Sequence, residues 1–183
     1  MAKDTTIQKK SMVDEAYEAL KHQIINNILP PGFQTLEVDL AAKLNMSRTP
    51  VREALIKLQN EGFVEVIPRK GMRVAPLTIQ DIHEISDVLA CLECEAAEKL
   101  AARNPGADEV GLLAQAIADM DTALENDDMD AWSQADYRFH KLILEMCGNR
   151  HLTEVAMNFL DKAHRFRLLT LPHRDKPVYS NVN

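Results

Sequence analysis

No run of about 18 uninterrupted apolar residues occurs anywhere in the chain, so no membrane-spanning helix is expected. The opening "MAKDTTIQKK" is basic but leads into no apolar core, which sets aside a secretory leader and makes the cytoplasm the expected location. Cysteine is scarce and odd in number: Cys91, Cys94 and Cys147 do not make a disulfide framework in a chain without an export signal, so all three are taken as reduced. Cys91 and Cys94 form a CxxC within "VLACLECEAAEKLAA", a continuous helix-forming context with no second ligand pair nearby. They are expected to be buried thiols rather than a zinc or redox site. Internal repeats and low-complexity tracts are also missing.

Positive charge is in deficit as well, with a formal net charge of -7 over 183 residues. The deficit is uneven. Through Leu77 there are 11 Lys/Arg against 9 Asp/Glu, a balance of +2, and from Thr78 onward 10 against 19, a balance of -9. A cation-tipped module is therefore followed by an acidic one, and two domains are expected, 1–77 and 78–183.

In the first, Val13, Tyr17, Leu20, Ile24 and Ile28 recur at three- and four-residue steps and predict one buried helix face. "PPG" from Pro30 to Gly32 stops that helix. "VDLAAKL" predicts a second helix with Leu40, Ala41 and Leu44 inward. Ser47 is a good N-cap for a third, Pro50 suits its first turn, and Val51, Leu55 and Leu58 form its buried side as far as Gly62. "FVEVIPRKGMRV" then predicts a two-stranded ribbon turning around Pro68 to Gly71. Three helices and a ribbon make a winged helix. Beyond Thr78, which with Asp81 has capping-box spacing, four helices are expected, at about Ile79 to Arg103, Asp108 to Glu125, Ala131 to Cys147 and His151 to Leu169. The fold class is thus mainly α: an N-terminal winged helix joined to an all-α antiparallel helical bundle. The tail from "LPHRDKP" onward reads as loop or frayed end.

Arg48 and Arg52 stand four residues apart and share the third helix's outer face, opposite its apolar stripe. A helix start bearing Ser47, Arg48, Thr49 and Arg52 offers hydroxyls and backbone N–H groups to phosphate, and guanidinium forks to guanine O6 and N7. Arg69, Lys70 and Arg73 on the ribbon add charge where a wing reaches phosphates or the minor groove, with Lys43 and Lys57 as weaker backbone contacts. Cations on a helix face and a charged turn are each also ordinary solvated surface. Their order within one helix-turn-helix-ribbon unit points to duplex DNA.

"LEVDLAAKLNMSRTPVREALIKLQNEGFVEVIPRKGMRV" resembles the DNA-binding domain of GntR-type bacterial transcription regulators, the likeness covering about Val13 to Pro76. The resemblance implies operator contacts from Arg48, Thr49, Arg52 and the wing around Arg69 to Gly71. Some members carry an arginine in the second helix where this chain has Val38, so that base or phosphate contact is not carried over. "LECEAAEKLAA" and "DYRFHKLILEMCGNRHL" resemble the helical effector (FCD) domain of the FadR-type subgroup. That likeness implies Asp136 and His140 as ligands of a divalent metal, for which carboxylate and imidazole suit zinc, nickel or manganese. A hydrogen-bonded Asp–His pair without metal accounts for the same spacing. Further ligands come, in the subgroup, from two later helices; the resemblance implies that the domain and the metal site are incomplete at Asn183, with His164 and His173 near in sequence only. Many members hold an organic-acid effector with an arginine one turn before the residue matching Glu93, and here that place is Leu89. Trp132, Phe139, Ile143 and Met146 mark a buried stripe, while His22, His83 and His151 are expected on the surface.

The function expected is a homodimeric, DNA-binding transcriptional regulator of repressor type, controlled by a small-molecule effector. The alternatives are a winged-helix protein-interaction module and a metal-dependent enzyme using Asp136 and His140.

Overall fold

A computed structural model describes residues 10–171 of the chain, which divides into two compact units, Met1–Pro76 and Leu77–Asn183. The first contains α1 (Met12–Ile25), β1 (Gln34–Thr35), α2 (Glu37–Leu44), α3 (Arg48–Asn60), β2 (Val64–Ile67) and β3 (Gly71–Val74). Ser11 caps α1, its hydroxyl accepting the Asp14 N–H at 3.1 Å. Ala16, Leu20 and Ile24, at four-residue steps, are wholly buried in one core with Val51, Ala54, Leu55 and Leu58 of α3. Each such leucine or isoleucine stabilises the unit by about 1.5–3 kcal/mol, and Leu20→Ala would cost about 2–5 kcal/mol once the cavity is included. Ile28 departs from the expected stripe. The helix ends at Ile25, Asn27 takes a left-handed conformation, and the chain turns Leu29 inward while Ile28 stays exposed.

Asn45, at φ 52°, closes α2 by returning its N–H to the Ala41 and Ala42 carbonyls, and so aims the chain into α3. Pro50 lies in the first turn of α3, where no intrahelical N–H is required. The sheet has three strands in the order β1-β3-β2, all antiparallel, rather than two. The added strand, β1, is only two residues long and pairs Gln34 with Arg73 and Thr35 with Met72. Two residues are too few to show an alternating pattern.

The second unit contains α4 (Ile79–Ala102), α5 (Ala107–Glu125), α6 (Met129–Met146) and α7 (Arg150–Thr170). The expected capping box opens α4: Thr78 Oγ1 accepts the Asp81 N–H at 3.1 Å and the Asp81 carboxylate accepts the Thr78 N–H at 2.7 Å. Asp128 and Asn149 cap α6 and α7 by accepting the N–H groups of Ala131 and Leu152, which starts both helices slightly earlier than their apolar periods suggest. Leu89 and Ala96 of α4 pack with Leu144 of α6 and with Leu152, Ala156 and Leu160 of α7. A smaller core joins Met120 and Ala123 of α5 to Trp132 and Ala135 of α6.

One expectation is corrected. Cys91 and Cys94 are exposed and only Cys147 is buried, because the inward line of α4 runs through Leu89, Ala96 and Leu100 and leaves both thiols on the opposite side. His164, a ligand candidate by nearness in sequence only, is buried, at 2% exposed. His173 and the tail lie outside the described residues. Among those described, no helix is long and apolar enough to cross a membrane.

Candidate nucleic-acid interface and the polar cluster of the helical unit

Ser47 occupies the N-cap position of α3, but its hydroxyl makes no capping bond, and no acidic residue stands in the first turn. The donors at this helix start therefore remain open to an external acceptor, with the positive end of the helix dipole behind them. Ser47, Arg48, Thr49 and Arg52 are all exposed. The fold-facing side of α3 is closed by Val51, Leu55 and Leu58, so the two arginines one turn apart face outward together.

Most cations of this unit fall into two groups, while Lys43 of α2 lies over the Phe33 ring at 5.8 Å. Lys57 is paired with Asp14 at 2.9 Å, Arg73 with Glu65 across the hairpin at 2.6 Å, and Lys21 with Glu61 at 3.0 Å. The Ser11 hydroxyl and the Lys57 ammonium hold the Asp14 carboxyl below its usual range. Arg48, Arg52, Arg69 and Lys70 carry no ion pair among the described residues. Lys57 and Arg73, both considered from sequence as DNA contacts, thus have partners within the fold. The four placed at the helix start and ribbon tip do not.

Pro68, Arg69 and Lys70 form a three-residue loop between the Ile67–Gly71 pair that ends the β2–β3 ladder. Arg69 has φ 64° there, a left-handed conformation that disfavours a residue with a Cβ. Gly71 has φ 81°, and an added Cβ would run into the Thr35 carbonyl and lie 2.7 Å from Leu36 Cα. Its role is structural: glycine lets β1 approach the wing, and Gln34 Nε2 donates to the Lys70 carbonyl at 3.2 Å to hold the tip. Arg48 and Arg52 face Arg69 and Gly71 across an open groove of about 560 Å³. Leu36, Glu37 and Val38 form another wall, and Val66, Ile67 and Pro68 complete it. The helix start and the wing, separated in sequence, therefore share one surface. Sequence reasoning did not place Leu36 or Glu37 on it, since only the tertiary turn between α2 and α3 brings them there; Val38 stood out only as the position where some family members carry an arginine.

In the helical unit, Asp136 and His140 converge one turn apart on α6, with Asp136 Oδ1 3.7 Å from His140 Nε2. Two partners missed from sequence join them. Glu93 of α4 places Oε1 2.8 Å from His140 Nδ1, and the Arg167 guanidinium of α7 pairs with Asp136 while lying over the Trp132 ring at 5.7 Å. Nothing local in the sequence marks either, because α4 and α7 reach α6 only through tertiary packing. Nearby, the Tyr137 hydroxyl donates to the buried Asp161 at 2.6 Å, and the His164 ring lies 4.5 Å from the Tyr137 ring. Burial pushes His164 down to about 4, against the opposing pull of Asp161, and Arg165 down to about 10. Among the described residues no three of His, Cys, Asp and Glu are grouped to hold a metal ion, and Arg167 already neutralises Asp136.

A winged helix with open donors at the start of α3, in a chain that continues into a helical unit, defines a DNA-binding transcriptional regulator. Residues 12–74 match the family model for bacterial regulatory proteins of the gntR family, and residues 84–181 match that of the FCD domain. The chain belongs to the GntR family, in the subgroup with an FCD domain. It is 40% identical over 141 residues to an uncharacterized HTH-type transcriptional regulator in the TAR-I ttuE-ttuC' intergenic region of Agrobacterium vitis, covering 76% of this chain and 82% of that protein. It is 31% identical to the gluconate operon transcriptional repressor of Bacillus licheniformis, over 88% of this chain and 66% of that one. Among solved structures, Escherichia coli McbR/YncC has the same fold, with a TM-score of 0.78 at 24% identity over 91% of this chain and 78% of that one.

Proposed function

We propose that the protein represses transcription by binding operator DNA as a homodimer, and that a small molecule taken up by the helical unit tunes this affinity. The observation that carries the DNA reading is the sorting of cations: those of the helix start and wing tip have no ion pair among the described residues and three of them face one groove, while Lys21, Lys57 and Arg73 are paired within the fold. Arg48 and Arg52 grip guanine O6 and N7 in the major groove, and the Ser47 and Thr49 hydroxyls with the first-turn N–H groups meet phosphate. Arg69 and Lys70 hold the flanking backbone, on a wing that Gly71 keeps seated on β1. Repression is supported by the Bacillus licheniformis relative, itself a transcriptional repressor of the gluconate operon. Two copies related by a two-fold axis would set their α3 helices on half-sites about one helical turn apart.

The test is a titration of the full chain against a duplex selected from a random pool. Arg52→Ala should lose about 1–3 kcal/mol and its sequence preference together, whereas Arg73→Ala should change little. Equal binding by Arg52→Ala and wild type would favour a protein-interaction module instead. The FCD match supports ligand sensing; Leu89 is 8% exposed and packs in the core, so a carboxylate effector would have to find its cation elsewhere. Effector candidates that saturate the helical unit, followed by heat-stability shift, and still leave operator affinity unchanged would be excluded as regulators.

A further inference from the structure

The groove between α3 and the wing is not purely cationic. Val38, in the first turn of α2, is 50% exposed, and Leu36, at the N-cap of the same helix, is 45% exposed; both line the groove beside Arg48 and Arg52. Folding does not call for aliphatic residues in either place. The buried side of α2 is served by Leu40 and Ala41, and Leu36 makes no side-chain capping bond at a position where Ser, Thr, Asp or Asn would stabilise the helix. Phosphate does not explain them either, since it needs donors or cations. Val38 has neither, and Glu37 beside it repels an anion. What remains in a duplex groove is a base edge, and the one base edge with an apolar group in the major groove is thymine, through its 5-methyl.

We propose that Val38, assisted by Leu36, reads a thymine methyl within the same half-site whose guanines Arg48 and Arg52 grip. The half-site is then a mixed element, specified by hydrogen bonds at guanine and by apolar contact at a neighbouring thymine. This rests on the DNA-binding reading above and adds to it a residue that determines sequence preference without any hydrogen bond.

The test uses the full chain and a duplex selected from a random pool, with each thymine replaced singly by deoxyuridine, which removes only the methyl. One position per half-site should weaken wild-type binding about fourfold, the worth of one buried methyl. Val38→Ser should bind the thymine and deoxyuridine duplexes equally, and Val38→Thr, which keeps a methyl, should retain the distinction. A half-site without thymine, no effect of any deoxyuridine, or an effect that persists in Val38→Ser overturns the assignment. If Arg52→Ala still weakens binding in those cases, the DNA reading stands and only the Val38 role falls. Equal affinity of Arg52→Ala and wild type removes both.

Discussion

Gly71 and Thr35 meet backbone to backbone, so closely that a Cβ on the glycine would overlap the threonine carbonyl oxygen. The wing is thereby fixed to a strand outside its own hairpin. Gly71→Ala combines a left-handed backbone with that overlap and should destabilise the first unit by at least about 2 kcal/mol. Urea unfolding followed by a probe in this unit checks it; a change within 0.5 kcal/mol would show that β1 yields freely.

Arg69 presents the opposite case. Its φ of 64° is a cost for any residue with a Cβ, at a loop position that glycine would fill more comfortably. Arg69→Gly should raise stability by up to about 1 kcal/mol while lowering the salt dependence of duplex binding by nearly one counterion. Thermal unfolding and binding isotherms across a salt series measure the two sides separately. Loss of stability together with undiminished binding would mean that Arg69 serves the fold.

His164 should make the helical unit sensitive to acid. Burial lowers its folded value to about 4, against an ordinary 6.5, with Tyr137 and Asp161 as the groups facing the ring. The unfolded chain then binds the proton more readily, so this contribution is fully present above about pH 6.5 and is lost as pH falls toward 4. Between pH 7.5 and pH 5 the loss from this group is about 2 kcal/mol. Unfolding free energies from denaturant titrations at the two pH values should differ by that much more in wild type than in His164→Leu.

Arg167 and a divalent cation would compete for the same carboxylate. Arg167→Ala leaves Asp136, 13% exposed at its side chain, without this counter-charge and should cost about 1–3 kcal/mol. Added zinc should then raise the melting temperature of the variant more than that of wild type, through Asp136 and His140. Equal shifts would show that the pair does not chelate.

Much of this architecture was legible in the residues because helices advertise themselves. The steps through Leu20 and Ile24 or Val51, Leu55 and Leu58, and the punctuation at Pro30, Gly62, Thr78 and Gly148, place seven helices within a few residues of their positions. Facing was harder where apolar residues are dense. In "VLACLECEAAEKLAA" nearly every position can face a core, and only packing against α6 and α7 decides that Leu89 and Ala96 do and the cysteines do not. Contacts between distant segments left no trace at all: the strand at Gln34 and Thr35, the Glu93 and Arg167 partners of the Asp–His pair, and Leu36 and Glu37 beside the arginines. Arg48 and Arg52 could be placed on an outer face because a four-residue spacing is itself a geometric statement. Whether they were paired was not, and that distinction separates them from Arg73.

The uncapped start of α3 has a kinetic consequence. With Ser47 making no capping bond and Pro50 lacking an amide, the remaining first-turn amides rely on water in the free protein and should trade deuterium rapidly. A bound phosphate would slow that exchange at Arg48 and Thr49 before any change reached the buried amides of Leu55 and Leu58, so the first turn of one helix would report occupancy of the duplex site.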